Sequence, residues 1–134
     1  SIEPFLKHPG KAVYLLAVTS NKGAADLQFL ETTAGKKLFQ HVFDMAERAN
    51  DYPGTVGFVM GLTNLDAALL KQVPHAPLLI PGLGAQGGSL DGLNAKERQS
   101  PMLFNSSRGI LFGEDGPFET RAQATREKIN NAIG

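Results

Sequence analysis

Four apolar runs recur along the chain, at residues 12–18, 56–60, 78–80 and 102–104. Each is closed by small or polar residues. Thr19, Ser20 and Asn21 follow the first and Gly61 the second; Pro81 and Gly82 follow the third, and Asn105, Ser106 and Ser107 the fourth. None alternates apolar with polar positions, which is the pattern of strands buried on both faces, as in parallel sheets covered by helices. The segments between them carry a helical period. Leu38, Val42, Met45, Ala46 and Ala49 fall on one helix face. Leu65, Ala68, Leu69 and Val73 fall on another, capped by Thr63 or Asn64 and stopped by Pro74. Pro117 sits where a first-turn proline belongs, ahead of Phe118, Ala122, Ile129 and Ile133. Residues 1–8 read as a short helix with Ser1 as N-cap and Ile2, Phe5 and Leu6 on one face. Between the third and fourth strands only residues 90–95 suit a short helix, and residues 26–32 fit no single pattern.

The order is therefore one helix, then βα four times, with no internal repeat, linker or low-complexity segment. Parallel strands with crossover helices leave two architectures, an open doubly wound sheet or part of a closed barrel. An eight-unit barrel of about 250 residues averages roughly 31 residues per unit. Four units in 134 residues come to about 34 each, close to that pitch. No initiator Met precedes Ser1, so the native start is expected upstream of residue 1, unless a tag scar or a cleaved leader accounts for it. The amphipathic segment that stops at Gly134 reads as a natural C-terminus.

Composition narrows the function classes. Thirteen Lys and Arg balance thirteen Asp and Glu, which argues against a general nucleic-acid binder but leaves room for one anionic ligand held by one Arg. No apolar run approaches a membrane span and no signal peptide opens the chain, so a cytoplasmic protein without membrane partners is expected. With no cysteine there is neither a disulfide framework nor a thiolate metal site. His8, His41 and His75 show no metal-ligand spacing and read as structural, so no metal is expected.

The unusual residues all follow strand ends, where both candidate folds place their ligands. Residues 82–88 hold four glycines, and glycine lets backbone N–H groups approach an anion unobstructed. Gly82, Gly84 and Gly87 match G-x-G-x-x-G literally. The dinucleotide reading fails because no helix opens there and no acid stands about 20 residues on. A flexible connection is the bland alternative. Arg108 lies one unit later, and a guanidinium grips phosphate through a bidentate fork. In a barrel the loops after strands seven and eight form the usual phosphate site, so the glycine loop and Arg108 are expected to converge on one anion. A lone surface Arg in an ion pair is the competing reading. Thr19, Ser20 and Asn21 offer hydrogen bonds to a heterocycle, or merely turn the chain. Asn105, Ser106 and Ser107 match a glycosylation sequon on a buried strand end, which is discarded. No Ser-His-Asp set and no paired catalytic carboxylates are apparent.

Residues 79–88 followed by Asn105, Ser106, Ser107, Arg108, Gly109 and Ile110 resemble the orotidine 5′-phosphate decarboxylase family, in its longer bacterial subfamily. Residues 18–28 resemble that subfamily's loop after strand five, where a proline is common in place of Lys22. The resemblance covers essentially all of the chain. It implies an α/β fold, the (β/α)₈ TIM barrel, with residues 1–134 forming the C-terminal half of a single domain and supplying strands five to eight. It implies cofactor-free conversion of orotidine monophosphate (OMP) to uridine monophosphate (UMP) and CO₂. It further implies that Gln86 and Arg108 hold the 5′-phosphate, with Gly84, Gly87 and the amide of Ser107 or Gly109, and that Ser20, beside Thr19, meets the pyrimidine. The loop from Leu83 to about Asn94 would close over the phosphate.

One departure from the family is serious. Its chemistry rests on alternating Lys and Asp residues in the first half of the barrel, and no such array stands here; Lys22, Lys36 and Lys71 do not fit it. No catalytic residue is therefore expected in this segment, which alone is expected to be inactive. It should pair with a second copy as a homodimer or stay bound to the N-terminal half. The alternatives are another phosphate-binding barrel enzyme and a non-enzymatic open α/β domain that binds a small molecule.

Overall fold

The computed structural model describes residues 2–64, 67–83, 90, 93, 98 and 100–134. The strands are β1 (Ala12–Val18), β2 (Thr55–Met60), β3 (Leu78–Pro81) and β4 (Met102–Asn105), and the helices are α1 (Glu3–Leu6), α2 (Ala24–Leu27), α3 (Leu38–Glu47), α4 (Ala67–Leu70), α5 (Arg108–Leu111) and α6 (Phe118–Ile133). The strands lie in the order β1-β2-β3-β4 and every neighbouring pair is parallel. Sequential parallel neighbours need a crossover each time; described helices lie between β1 and β2 and between β2 and β3, and the connection from β3 to β4 lies largely outside the described residues. No described helix is long and apolar enough to cross a membrane.

Register divides the strand residues between two faces, since paired residues of a parallel sheet share a side. One face carries Phe58, Leu78 and Ile80, all fully buried. There the rings of Phe29, Phe39, Phe43 and Phe58 form a chain with centroids 5.5, 5.5 and 5.0 Å apart, joining α3 to the sheet in tilted and edge-on contacts. The buried line of α3 thus runs through Phe39 and Phe43, with Val42, Ala46 and Ala49 beside it. Met45, expected on that face, is exposed, because the stripe is centred on the two aromatic rings.

The other face carries Leu16, Val59, Leu79 and Leu103, which stand in register across the four strands. It corrects the expectation of strands buried on both faces. Leu16 is 60% exposed and Leu103 52%. A closed barrel fills its interior with side chains from all its strands, and a four-stranded arc has only its own. The ring of Tyr14 lies across Gly57 here: a Cβ on Gly57 would come within 2.8 Å of that ring and 2.7 Å of the Pro77 carbonyl oxygen.

The uncovered apolar row and the two open edges carry a prediction. β1 and β4 are unpaired on their outer sides among the described residues. Neither strand bears the charges or prolines that normally blunt an edge. The purified 134-residue chain is expected to self-associate or to bind a complementary half-barrel, with light scattering as the check. A monodisperse monomer with a cooperative melt would contradict this and favour a self-sufficient open sheet.

Other expectations change at the helix ends. Ile2 occupies the N-cap position of α1 and Pro4 lies in its first turn, so the capping role expected of Ser1 has no place; Ser1 itself lies outside the described residues. Phe5 is 63% exposed while Leu6 is buried, since a helix of one turn presents only one side chain to the sheet. Pro117 is extended at ψ 160° and stands at the N-cap of α6, one residue before the first turn. Phe118 is exposed, and α6 packs on the core through Ile129 and Ile133. The helix expected over residues 90–95 and the position of Leu65 lie largely outside the described residues.

Candidate functional site

The C-terminal ends of the strands gather most of the residues singled out in the sequence. Thr19 and Ser20 leave β1 beside Gly61, which leaves β2 and donates its N–H to the Val18 carbonyl at 2.7 Å. The contact is close: a Cβ on Gly61 would lie 2.3 Å from Ser20 Oγ and 2.6 Å from the Ser20 nitrogen. Gly61 is therefore required by the approach of a neighbouring backbone. Gly61→Ala is expected to destabilise the fold by about 1–3 kcal/mol, the usual cost of overpacking, in denaturant unfolding. An unchanged midpoint would show that the turn has room to move.

A hollow of about 410 Å³ opens at this end, lined by Leu16, Ser20, Asn21, Lys22, Val59 and Pro81 among others. Its floor is apolar and its rim carries a hydroxyl, an amide and an ammonium group, which suits a flat heterocycle with polar edges. Lys22 makes no ion pair with any described residue. The turn is held from behind by Gln28. Its Oε1 accepts the Thr19 N–H at 3.0 Å and its Nε2 donates to Thr19 Oγ1 at 2.9 Å. Reading the sequence for site residues passed over Gln28, although it closes the motif of residues 18–28.

The second cluster follows β4. Ser107 is the N-cap residue of α5, and Arg108 and Gly109 begin that helix. Ser107 Oγ donates to Asn105 Oδ1 at 3.3 Å. The glycine-rich segment departs alongside: Gly82, at φ +86°, donates its N–H to the Asn105 carbonyl at 3.1 Å, and Ser106 Oγ donates to the Leu83 carbonyl at 3.3 Å. The left-handed φ explains why a glycine stands at residue 82. Gly84, Gln86 and Gly87 lie outside the described residues. Arg108 is exposed and makes no ion pair with any described residue.

Arg121 on α6 anchors this cluster, and nothing in the sequence pattern marked it. Its guanidinium donates to the carbonyls of Ile110 at 2.8 Å, Leu111 at 3.4 Å and Gly116. Gly113 is packed between, where a Cβ would meet the Gly109 carbonyl oxygen at 2.5 Å. Arg98, by contrast, donates to the carbonyls of Pro74 and Ala76 at 2.9 and 3.2 Å, at the opposite end of the sheet. Desolvation lowers the pKa of its half-buried guanidinium, which reads as structural. His41 lies on α3 beside Thr32 and Asp44, away from the strand ends.

No family model matches the chain. Similarity to individual proteins is extensive. The chain is 44% identical over 138 residues to an orotidine 5′-phosphate decarboxylase of Haloarcula marismortui, covering all of this chain and 49% of that relative. This chain is similar to orotidine 5′-phosphate decarboxylases over its whole length. It spans about half the length of the curated decarboxylases it matches. Solved structures agree. OMP decarboxylase from Leishmania donovani superposes with a TM-score of 0.75 at 35% identity, covering 99% of this chain and 52% of that one. UMP synthase from the same organism gives a TM-score of 0.80 at 38% identity, covering 99% and 30%. The four-stranded parallel sheet is the half-barrel that this similarity to decarboxylases entails.

Proposed function

We propose that this chain is the C-terminal half of the barrel of an orotidine 5′-phosphate decarboxylase, and that it supplies the phosphate- and base-binding loops. Whole-length similarity to decarboxylases carries the reading. Its support in the fold is the placement of Thr19, Ser20, Ser107, Arg108 and Gly109 at one end of the sheet. In this reading Ser20, at the rim of the hollow, hydrogen-bonds the pyrimidine. Arg108, Gln86 and the backbone of Ser107 or Gly109 hold the 5′-phosphate, with Gly84 and Gly87 leaving the approach open.

The bond from C6 to the carboxylate breaks, its electron pair stays at C6, and a proton ends there. In this reading the proton donor lies outside these 134 residues, whose sequence shows no array of alternating Lys and Asp. This chain's contribution is binding energy remote from C6. Such energy accelerates the reaction when it is used to close the site around the transition state. The partner half-barrel, or a second copy, covers the Leu16 to Leu103 face, and the enzyme works in the cytoplasm as a dimer. Incubating the full-length protein with OMP tests the activity. UMP and CO₂ are expected in equal amounts, and absence of turnover would overturn the assignment.

A further inference from the structure

Gln28 stands nine residues after Thr19, at the end of α2, yet its side chain returns to the turn that closes β1. The local fold explains the return. The Ala24 N–H donates to the Asn21 carbonyl at 3.0 Å and the Gln28 N–H to the Ala24 carbonyl at 2.8 Å, so α2 begins directly after the turn and ends facing it. Both ends of the Gln28 amide are used on Thr19. Thr19 Oγ1 donates in turn to Asn21 Oδ1. These bonds form one directed chain. The amide oxygen must face the Thr19 N–H and its nitrogen the hydroxyl oxygen; the hydroxyl's single proton then goes to Asn21. Ser20 is the residue between the two that are tethered, and its Oγ faces the narrow space over Gly61.

We propose that Gln28 is the positioning residue of the pyrimidine-binding turn. It does not touch the substrate. It holds Thr19 by backbone and side chain together, and so presents the Ser20 hydroxyl in one orientation before the ligand arrives. A turn ordered in advance spares the cost of ordering it on binding. Thr19, engaged through its hydroxyl on both sides, belongs to this support, and Ser20 is the ligand. The proposal rests on the decarboxylase reading and adds a residue to it.

Titration of the full-length protein with UMP and with ribose 5-phosphate tests it, because only the first ligand carries a base. Gln28→Met keeps the length of the side chain and removes both polar ends. It is expected to weaken UMP about tenfold, the combined effect of two neutral hydrogen bonds, and to leave ribose 5-phosphate unchanged. Thr19→Val should produce a smaller loss of the same selectivity, and Thr19→Ser should restore it. Equal losses for both ligands, or a folded Gln28→Met protein that binds UMP as tightly as the wild type, would overturn the positioning role. Should Gln28→Met fail to fold, unchanged UMP affinity in Thr19→Val would overturn it instead. A wild-type protein that does not distinguish the two ligands would overturn the decarboxylase reading itself, a separate outcome.

Discussion

Arg108→Ala in the full-length protein is expected to weaken UMP binding by about 2–5 kcal/mol, the usual cost of truncating one partner of a charged pair that binding buries. Uridine, which lacks the phosphate, should bind Arg108→Ala and wild type nearly alike. Three observations lead here. Arg108 begins α5 directly after β4, its guanidinium makes no ion pair with any described residue, and the glycine-rich segment departs from Gly82 and Leu83 beside it. A bidentate fork loses its geometry as well as its charge, so Arg108→Lys should recover only part of the affinity. Calorimetric titration of both ligands measures the difference directly. Equal losses for nucleotide and nucleoside would mean that Arg108 supports the fold and does not hold phosphate.

The second large effect concerns turnover. The purified 134-residue chain is expected to convert no OMP, while the full-length protein does. Decarboxylation without a proton donor or a stabilising charge array leaves the electron pair at C6 unsupported, and each 1.36 kcal/mol restored to the barrier slows the step about tenfold. None of Lys22, Lys36 and Lys71 is set in an array of alternating Lys and Asp among the described residues. Lys36 Nζ is paired with Asp44 of α3 at 3.0 Å, Lys71 follows α4, and Lys22 lies at the rim of the hollow with no described carboxylate paired to it. A sensitive product assay on the isolated chain decides the matter. Measurable turnover would place the catalytic groups within these residues and contradict the division of labour proposed above.

Much of the architecture was legible because the apolar runs are unambiguous. Residues 12–18 were read as a strand and β1 has the same bounds; the other three strands differ by a single residue at one end. Strand runs of β-branched and aliphatic residues closed by glycine, proline or a polar cluster leave few alternatives. Fine placement within helices was less legible. Met45 shares the helical period of Val42 and Ala49, but two phenylalanines nearby captured the buried stripe, since large rings gain most from contact with Phe58. Phe5 and Phe118 are apolar residues on terminal or edge helices, where there is too little neighbouring surface to cover them.

Of the candidate site, residue types and order along the chain were enough to mark Ser20, Arg108 and the glycine segment, because anion grips and strand-end turns depend on local chemistry. Gln28 and Arg121 were invisible by the same logic: their partners, backbone groups and the Thr19 hydroxyl, are reached across as many as nine and eleven residues, and any polar side chain of similar length looks equivalent in sequence. By itself, then, the sequence determined the strand count, the parallel alternation and the strand-end location of the chemistry, all of which follow from local hydrophobic period and turn residues. The register that lines up Leu16, Val59, Leu79 and Leu103 on an uncovered face was settled in three dimensions, as were the contact that makes Gly61 obligatory and the clamp that orders the turn after β1. Each depends on which backbone atoms come within a few ångströms of one another, and only the folded chain specifies that.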